Sequence, residues 1–223
     1  MKEVFEFLEN LRGNNNREWF QSHKDQYEQA HQAVIGFTGD LITEINKHDN
    51  IEATSPKKAL FRIYRDVRFA KDKTPYKTSW NGRFQRATNQ LRGGYYFHLE
   101  SEQTYIAGGF WQPNSQDILH IRKQIQQDSQ PLRKITANKR FKDYFGELIG
   151  EKVKSAPQGF SKEDPDIDLL RHKGFILSHT FTDQEIFDPN FAKTMSDGFK
   201  QMRPFLDYMT DILTTDLNGL PLV

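Results

Sequence analysis

The sequence predicts a single α+β domain over residues 1–223, with a mainly antiparallel sheet and long helices flanking it towards both ends of the chain. Runs typical of strands cluster in the middle of the chain, and runs with helical spacing lie before and after them. The regular alternation of strand and helix that marks parallel doubly wound sheets and β/α barrels is absent. Together these two observations favour the α+β class.

The hydrophobic core is expected to be built on aromatic rings. The chain is polar, with a mean hydropathy of −0.79 and only 36% hydrophobic residues. It nevertheless contains 18 Phe, 8 Tyr and 3 Trp, whereas disordered chains are poor in aromatic residues. The absence of cysteine excludes disulfides, thiolate metal sites and a cysteine nucleophile.

The N-terminal part of the chain is predicted to be helical. The polar cluster 14–16 can cap a helix, and apolar residues then recur at steps of three and four over 19–45. This spacing predicts one long amphipathic helix. Gly36 and Gly39 weaken its middle and allow a kink there.

Strands are predicted where β-prone residues cluster. These runs are 59–65, 95–100, 104–111 and 175–181. A short polar link joins the second run to the third, so the two should form a hairpin. Gly108 and Gly109 inside the third run indicate a bulge or a close approach of another group to the backbone.

Helices are predicted again on the C-terminal side of the hairpin. One follows Pro113, with Ser115 as its cap, and another begins at Pro131. The clearest helical pattern covers 191–217, where Phe, Met and Leu residues follow helical spacing. Pro204 should bend this helix or mark a break in it.

A strongly basic segment, residues 57–92, is hidden by a net charge of only +1 for the whole chain. It contains eleven Lys or Arg residues and only two acids, Asp66 and Asp72. Such segregation creates a local positive field whatever the total charge. An anionic ligand or partner is therefore the first class to consider.

The centre of this segment, Arg62–Lys77, is the candidate ligand-binding site. Arginine suits bidentate contact with phosphate or carboxylate, lysine adds point charge, and a tyrosine ring can stack on a base. The candidate residues are Arg62, Arg65, Arg68, Lys73, Tyr76 and Lys77. Three arginines at steps of three cannot share one face of a straight strand, so a turn after Arg65 would be needed to bring them together.

Internal ion pairing is the alternative interpretation of the same residues. Asp66 and Asp72 could take part in salt bridges that pin a long loop to the sheet. A basic stretch of this kind is then part of the scaffold, and it binds no ligand.

Five motifs of the chain carry a resemblance to a known family. They are Asn15–Phe20, Arg62–Lys77, Gly93–Tyr96, Gly108–Trp111 and Ala156–Phe160. These motifs resemble those of an uncharacterised family, domain of unknown function 2461, and the resemblance covers nearly the whole chain. It implies a soluble bacterial-type protein with one domain and no established activity, so it adds no reaction.

Catalytic and metal-binding candidates are weaker. His98 and Glu100 lie on the same face of a predicted strand and could form an acid–base or metal-binding pair. A solvent-exposed polar sheet face explains them equally well. Asp164, Asp166 and Asp168 could bind a divalent cation, but the glycine and the distal glutamate of a calcium loop are missing. No cofactor and no metal site are therefore predicted.

Three functions remain open from the sequence. The first is binding of an anionic small molecule, a nucleotide or a nucleic acid at Arg62–Lys77. The second is an enzyme of phosphoryl or phosphodiester chemistry that uses the same cations, with His98 or Glu100 as the acid–base group. The third is an interaction domain for an acidic protein partner.

No targeting or membrane-spanning segment is predicted. The N-terminal run Met1–Glu9 carries acids among its apolar residues, unlike a secretory signal peptide. No stretch approaches about 18 consecutive apolar residues, the length that indicates a membrane span. The chain is therefore expected to be cytoplasmic and to have no membrane partner, and its oligomeric state is left open.

Overall fold

The computed structural model describes residues 1–88 and 90–222, and it confirms the α+β class. Asn89, in the predicted basic segment, and Val223 lie outside the described residues. The described part of the chain contains ten helices and one four-stranded antiparallel sheet. The strands are β1 (Trp80–Gln85), β2 (Gly94–Leu99), β3 (Tyr105–Phe110) and β4 (Phe175–Thr180), and they are neighbours in that order.

The helices lie before, between and after the strands along the chain. They are α1 (Lys2–Gly13), α2 (Arg17–Ser22), α3 (Lys24–Ile45), α4 (Pro56–Ala59), α5 (Ser115–Gln127), α6 (Gln130–Ala137), α7 (Lys139–Phe145), α8 (Ile167–Leu170), α9 (Asp183–Ile186) and α10 (Phe191–Thr214). None of the helices within residues 1–88 and 90–222 is long and apolar enough to cross a membrane.

Three of the four predicted strands are confirmed to within one residue at each end. The predicted runs 95–100, 104–111 and 175–181 correspond to β2, β3 and β4. Buried and less buried residues alternate along β2 and β3, as expected for strands with one face turned towards the core.

The predicted strand 59–65 is wrong. Its first residue ends helix α4, and residues 60–65 pair with 75–82 only through isolated bridges, Leu60 with Gly82 and Tyr64 with Tyr76. The Phe61 N–H bonds to the Asn81 carbonyl, and the Lys77 N–H bonds to the Ile63 carbonyl. Between these two hydrogen bonds, Arg62 therefore lies opposite three residues of the other segment, 78–80. This bulge interrupts a regular ladder.

Strand β1 lies inside the strongly basic segment 57–92, at a position where no strand is predicted. Trp80 and Phe84 are buried, whereas Arg83 and Gln85 are exposed. Gly82 allows close packing, since a Cβ there would lie 2.3 Å from the Phe97 ring. The polar residues on the outer face concealed this strand in the sequence.

The long helix predicted over 19–45 is two helices, α2 and α3, which meet at His23. The His23 ring stacks on the Trp19 indole at 4.1 Å, and its Nδ1 lies 2.8 Å from the Trp19 carbonyl oxygen. This local contact closes α2. The polar cluster does cap α2, because Asn16 Oδ1 accepts a hydrogen bond from the Trp19 N–H at 2.9 Å. Helix α3 continues through both of its glycines.

Two boundary predictions for the C-terminal half are also corrected. The cap of α5 is Asn114, whose Oδ1 accepts from the Asp117 N–H at 2.8 Å, so Ser115 is the first helical residue. Helix α10 continues through Pro204 without a break and ends at Thr214.

The close approach to the backbone that was predicted at Gly108 and Gly109 is confirmed. A Cβ on Gly109, at φ +129°, would lie 2.2 Å from the Phe175 carbonyl oxygen.

The chain forms two compact units, each assembled from three separate segments. Unit 1 comprises Met1–Phe84, Tyr96–Ile106 and Thr180–Gly198. Its core includes Phe7, Leu11, Val34, Leu41, Trp80 and Phe97. Unit 2 comprises Gln85–Tyr95, Ala107–His179 and Phe199–Val223. Its core includes Tyr95, Ile121, Leu170, Phe175, Phe199 and Phe205.

Candidate anion-binding site

The six predicted binding residues all lie in unit 1, on segments 60–65 and 75–82 and on the 66–74 loop that joins them. They fall into three groups. Arg65 and Tyr76 line a cavity. Lys77 lies beside the exposed ring of Phe61, and Arg62 is close enough for its charge to act on Lys77. Arg68 and Lys73 are on the 66–74 loop.

Arg68 and Lys73 form hydrogen bonds with other residues of the 66–74 loop. Arg68 donates from Nε and Nη2 to the two carboxylate oxygens of Asp66, at 3.0 and 2.6 Å. Hydrogen bonds from Arg68 lower the pKa of Asp66. Lys73 donates to the Val67 carbonyl at 2.9 Å. The contact with Asp66 fits the internal ion-pairing alternative for Arg68, whereas Lys73 is bound by a neutral carbonyl group.

Arg65 is held on one side only. Its Nη1 donates to Asp72 Oδ2 at 2.5 Å, to the Thr74 carbonyl at 3.2 Å and to the Thr74 hydroxyl. Hydrogen bonds from the Thr74 N–H and then from Arg65 lower the pKa of Asp72 to about 2. Arg65 Nε and Nη2 make no hydrogen bond with any residue in 1–88 or 90–222. One edge of the guanidinium is therefore available.

The cavity beside Arg65 has a volume of about 370 Å³. It is lined by Arg17, Gln21, Tyr64, Arg65, Val67, Pro75 and Tyr76. No carboxylate is among these lining residues. Arg17, the second cation, is exposed and forms no ion pair with a described residue. Asp72 balances the charge of Arg65 from outside the cavity, so the positive charge in the cavity that has no acidic partner is that of Arg17.

Tyr76 forms a rigid wall of the cavity. The residue is buried, and its ring stacks on Phe20 with a centroid distance of 4.0 Å. Asn15 bonds to both its backbone N–H and its carbonyl, at 3.1 and 3.0 Å. One face of the Tyr76 ring is thus covered by Phe20. Burial, and then the nearby Tyr64, raise the pKa of the Tyr76 hydroxyl.

A second group of cations surrounds Phe61, which is 38% exposed. Lys77 Nζ lies 5.4 Å and Arg83 Cζ lies 5.9 Å from the centre of its ring. Burial, and then the positive charge of Arg62, lower the pKa of Lys77. Three cations therefore lie in one region of unit 1.

His98 and Glu100 do form a pair. His98 Nε2 lies 2.9 Å from Glu100 Oε2, and Glu100 also accepts from Thr78 Oγ1 at 2.9 Å and from Arg12 Nη2 at 3.1 Å. Burial would raise the pKa of Glu100, but the hydrogen bonds from His98, Thr78 and Arg12 outweigh it and lower that pKa. In the neutral tautomer that donates from Nε2 to Glu100, the Nδ1 atom of His98 is an acceptor.

Asp164, Asp166 and Asp168 already accept hydrogen bonds from other side chains. Arg133 donates to Asp166 at 2.8 Å and to Asp168 at 2.7 Å, and Gln126 donates to Asp164 at 2.9 Å. Within residues 1–88 and 90–222, no group of three or more His, Asp or Glu side chains is placed to hold a metal ion.

Two cations, Arg17 at the cavity and Arg83 beside Phe61, are not among the binding residues predicted from the sequence. Arg17 lies in the Asn15–Phe20 motif but outside the basic segment 57–92. Arg83 was counted in the basic segment but, because β1 was not predicted, nothing placed it beside Phe61. The family resemblance was the only signal that pointed to Arg17.

Comparison with known proteins identifies one family. The family model described as Conserved hypothetical protein (DUF2461) matches residues 3–208. Comparison with curated proteins and with solved structures finds no match. The matched range includes the cavity, the cations around Phe61 and the His98–Glu100 pair.

Proposed function

This chain belongs to the DUF2461 family, and from its own residues we propose that it binds a small anionic ligand, bearing phosphate or carboxylate, in the cavity between Arg17 and Arg65. The observation that carries this proposal is the unpaired Nε–Nη2 edge of Arg65 on a cavity without carboxylates. Two N–H groups on one edge of a guanidinium match two oxygens of a phosphate or carboxylate.

Asp72 and Thr74 support this role because they orient Arg65 before a ligand arrives. Both bind Nη1 and leave the other edge free. A side chain that is already ordered loses less entropy on binding. Arg17 then adds a second positive charge, and the cavity volume is at the low end of the roughly 300–1,000 Å³ usual for small-molecule sites. Phosphate, or a small phosphorylated or carboxylated metabolite, suits this volume.

Replacing Arg17 by Gln is expected to weaken binding of inorganic phosphate or of a phosphosugar by about 10- to 100-fold, since a hydrogen bond to a charged group contributes about 1.5–3 kcal/mol. Isothermal titration at low ionic strength measures this change, with a neutral sugar as the ligand control. Arg17 is exposed and unpaired, so the variant should fold normally.

Arg140→Gln is the matched control variant. Arg140 is also exposed, and it lies in unit 2, on a wide depression formed by α7 and Gln201. Its loss should leave phosphate affinity unchanged. Equal binding by wild type and Arg17→Gln, or an equal loss in Arg140→Gln, would contradict the proposed site.

A second candidate function, an enzyme acting on phosphoryl or phosphodiester groups, is favoured by the His98–Glu100 pair. In the neutral tautomer that donates from Nε2 to Glu100, His98 Nδ1 can accept a proton from an attacking water or hydroxyl group. A panel of phosphatase, phosphodiesterase and nuclease substrates with Mg²⁺, Mn²⁺ or Zn²⁺ should then give turnover that His98→Asn abolishes. An absence of turnover, or turnover that survives in His98→Asn, counts against this candidate.

A further inference from the structure

A row of aromatic rings lies along one side of unit 1. Phe61 is 6.3 Å from Tyr96, and Tyr96 is 5.9 Å from Tyr105, measured between ring centroids. His98 follows, with its ring stacked on Tyr105 at 4.8 Å. Tyr96 and His98 are on the less buried face of β2, whereas Phe97 between them is fully buried.

The central ring of this row is fixed in place. The Tyr96 hydroxyl donates to Asn81 Oδ1 at 2.8 Å. Burial, and then Tyr105, raise the pKa of the Tyr96 hydroxyl, so it keeps this proton at neutral pH. The ring therefore needs no ordering when a ligand binds, which lowers the entropic cost of binding.

The cations at the Phe61 end lack anionic partners. The side chains of Arg62, Lys77 and Arg83 form no hydrogen bond or ion pair with residues 1–88 and 90–222. Lys77 is partly buried, and its pKa is lowered by that burial and by Arg62. A partly desolvated charge without a counter-ion is unfavourable, and an anion placed beside it removes this cost.

The nearby acids are already neutralised. The charge of Arg62 contributes to lowering the pKa of Asp66, but both carboxylate oxygens of Asp66 already accept hydrogen bonds from Arg68. Glu100, at the other end of the row, is bound by Arg12, Thr78 and His98. The field at the Phe61 end is therefore positive.

We propose that this surface, defined by Phe61, Tyr96 and Tyr105 with the cations Arg62, Lys77 and Arg83, binds single-stranded nucleic acid. The cations would contact successive phosphates, and unstacked bases would lie against the rings. Rings cannot reach the stacked bases of a duplex, and an acidic polypeptide without apolar side chains, such as polyglutamate, would use the cations but not the rings. The proposal shares no residue with the Arg17–Arg65 cavity, so each stands or falls alone.

The test is fluorescence anisotropy with a labelled oligothymidylate and a labelled oligouridylate of equal length. Phe61→Leu keeps an apolar side chain but removes the ring, and it is expected to weaken binding of the preferred strand about 5- to 100-fold. Lys77→Gln is expected to reduce the slope of log affinity against log salt concentration by about 0.7. Binding of either strand supports the proposal.

Two control variants and two control ligands complete the experiment. Lys200→Gln and Arg140→Gln remove exposed cations of unit 2, and they should leave the affinity unchanged. Thermal melts confirm that each variant folds, and Arg83→Gln replaces Phe61→Leu if the latter does not. No binding at low salt, equal affinity for a duplex or for polyglutamate, or undiminished affinity in Phe61→Leu and Arg83→Gln would each overturn the proposal.

Discussion

Replacing Asp207 by Ala is expected to lower the free energy of unfolding by about 1.5–3 kcal/mol, the usual contribution of a hydrogen bond between charged groups. Asp207 Oδ1 accepts a hydrogen bond of 2.6 Å from Nη2 of Arg86, whose side chain is 0% exposed. The substitution removes the charged acceptor of a fully buried guanidinium, although Asp207 itself is 47% exposed and also pairs with Arg203. The neutral acceptors that remain on Nη1, Thr210 Oγ1 and the Arg92 carbonyl, do not replace a carboxylate.

The measurement is equilibrium unfolding by urea or guanidinium chloride. Asp197→Ala is the matched control, because it removes an aspartate from the same helix, α10. Asp197 pairs at 2.7 Å with Lys193, and both side chains are more than half exposed. A pair of this kind contributes only about 0.3–0.5 kcal/mol. Similar losses in the two variants would show that the burial of Arg86 is unimportant.

The second large effect is a dependence of stability on pH that arises from His172. This residue is only 2% exposed, its Nδ1 lies 3.2 Å from the Gly174 carbonyl, and its ring stacks on Phe175. Burial, and then the positive charge of Lys152, lower its pKa from 6.5 to about 4.

The direction of the effect follows from which state binds the proton. Between pH 6.5 and about 4 the unfolded chain protonates at His172 and the folded chain does not. The contribution of neutral His172 is therefore fully present above pH 6.5 and falls as the pH drops towards 4. At 1.36 kcal/mol for each pKa unit, the total loss is roughly 3 kcal/mol.

Unfolding free energies at several pH values from neutral to about 4.5 test this expectation. The variant His172→Gln lacks the titrating ring, so its stability should fall less steeply over this range than that of wild type. All other titrating groups are shared by the two proteins and cancel in the comparison. Parallel pH profiles would contradict the assignment to His172.

Much of the fold could be predicted from local pattern, because burial and side-chain alternation coincide in β2 and β3, and β4 begins with three consecutive buried apolar residues. The pattern failed at β1, where Arg83 and Gln85 occupy the exposed face and resemble a basic loop. It also failed at 59–65, which has the alternation of a strand but meets a bulged partner segment. Whether a β-prone run finds a regular partner depends on contacts distant in the sequence.

The candidate site could be predicted as a region but not as a set of contacts. The excess of positive charge in 57–92 is visible in the sequence. The pairing of Arg68 with Asp66, and of Arg65 with Asp72, depends on the path of the 66–74 loop. Arg17 joins the cavity only because α2 lies against it, and one-dimensional spacing carries no such information.

The segmented construction of the two units affects how the chain can fold during its synthesis. Unit 1 needs Thr180–Gly198, and unit 2 needs residues that follow Gly198. Domains usually fold one after another as a ribosome extends the chain at about 5–20 residues per second, but here an early fragment contains neither complete unit. Folding must therefore wait for the late segments, and a nascent chain carries exposed aromatic surface in the meantime. We expect a chaperone to meet this chain before its core has closed.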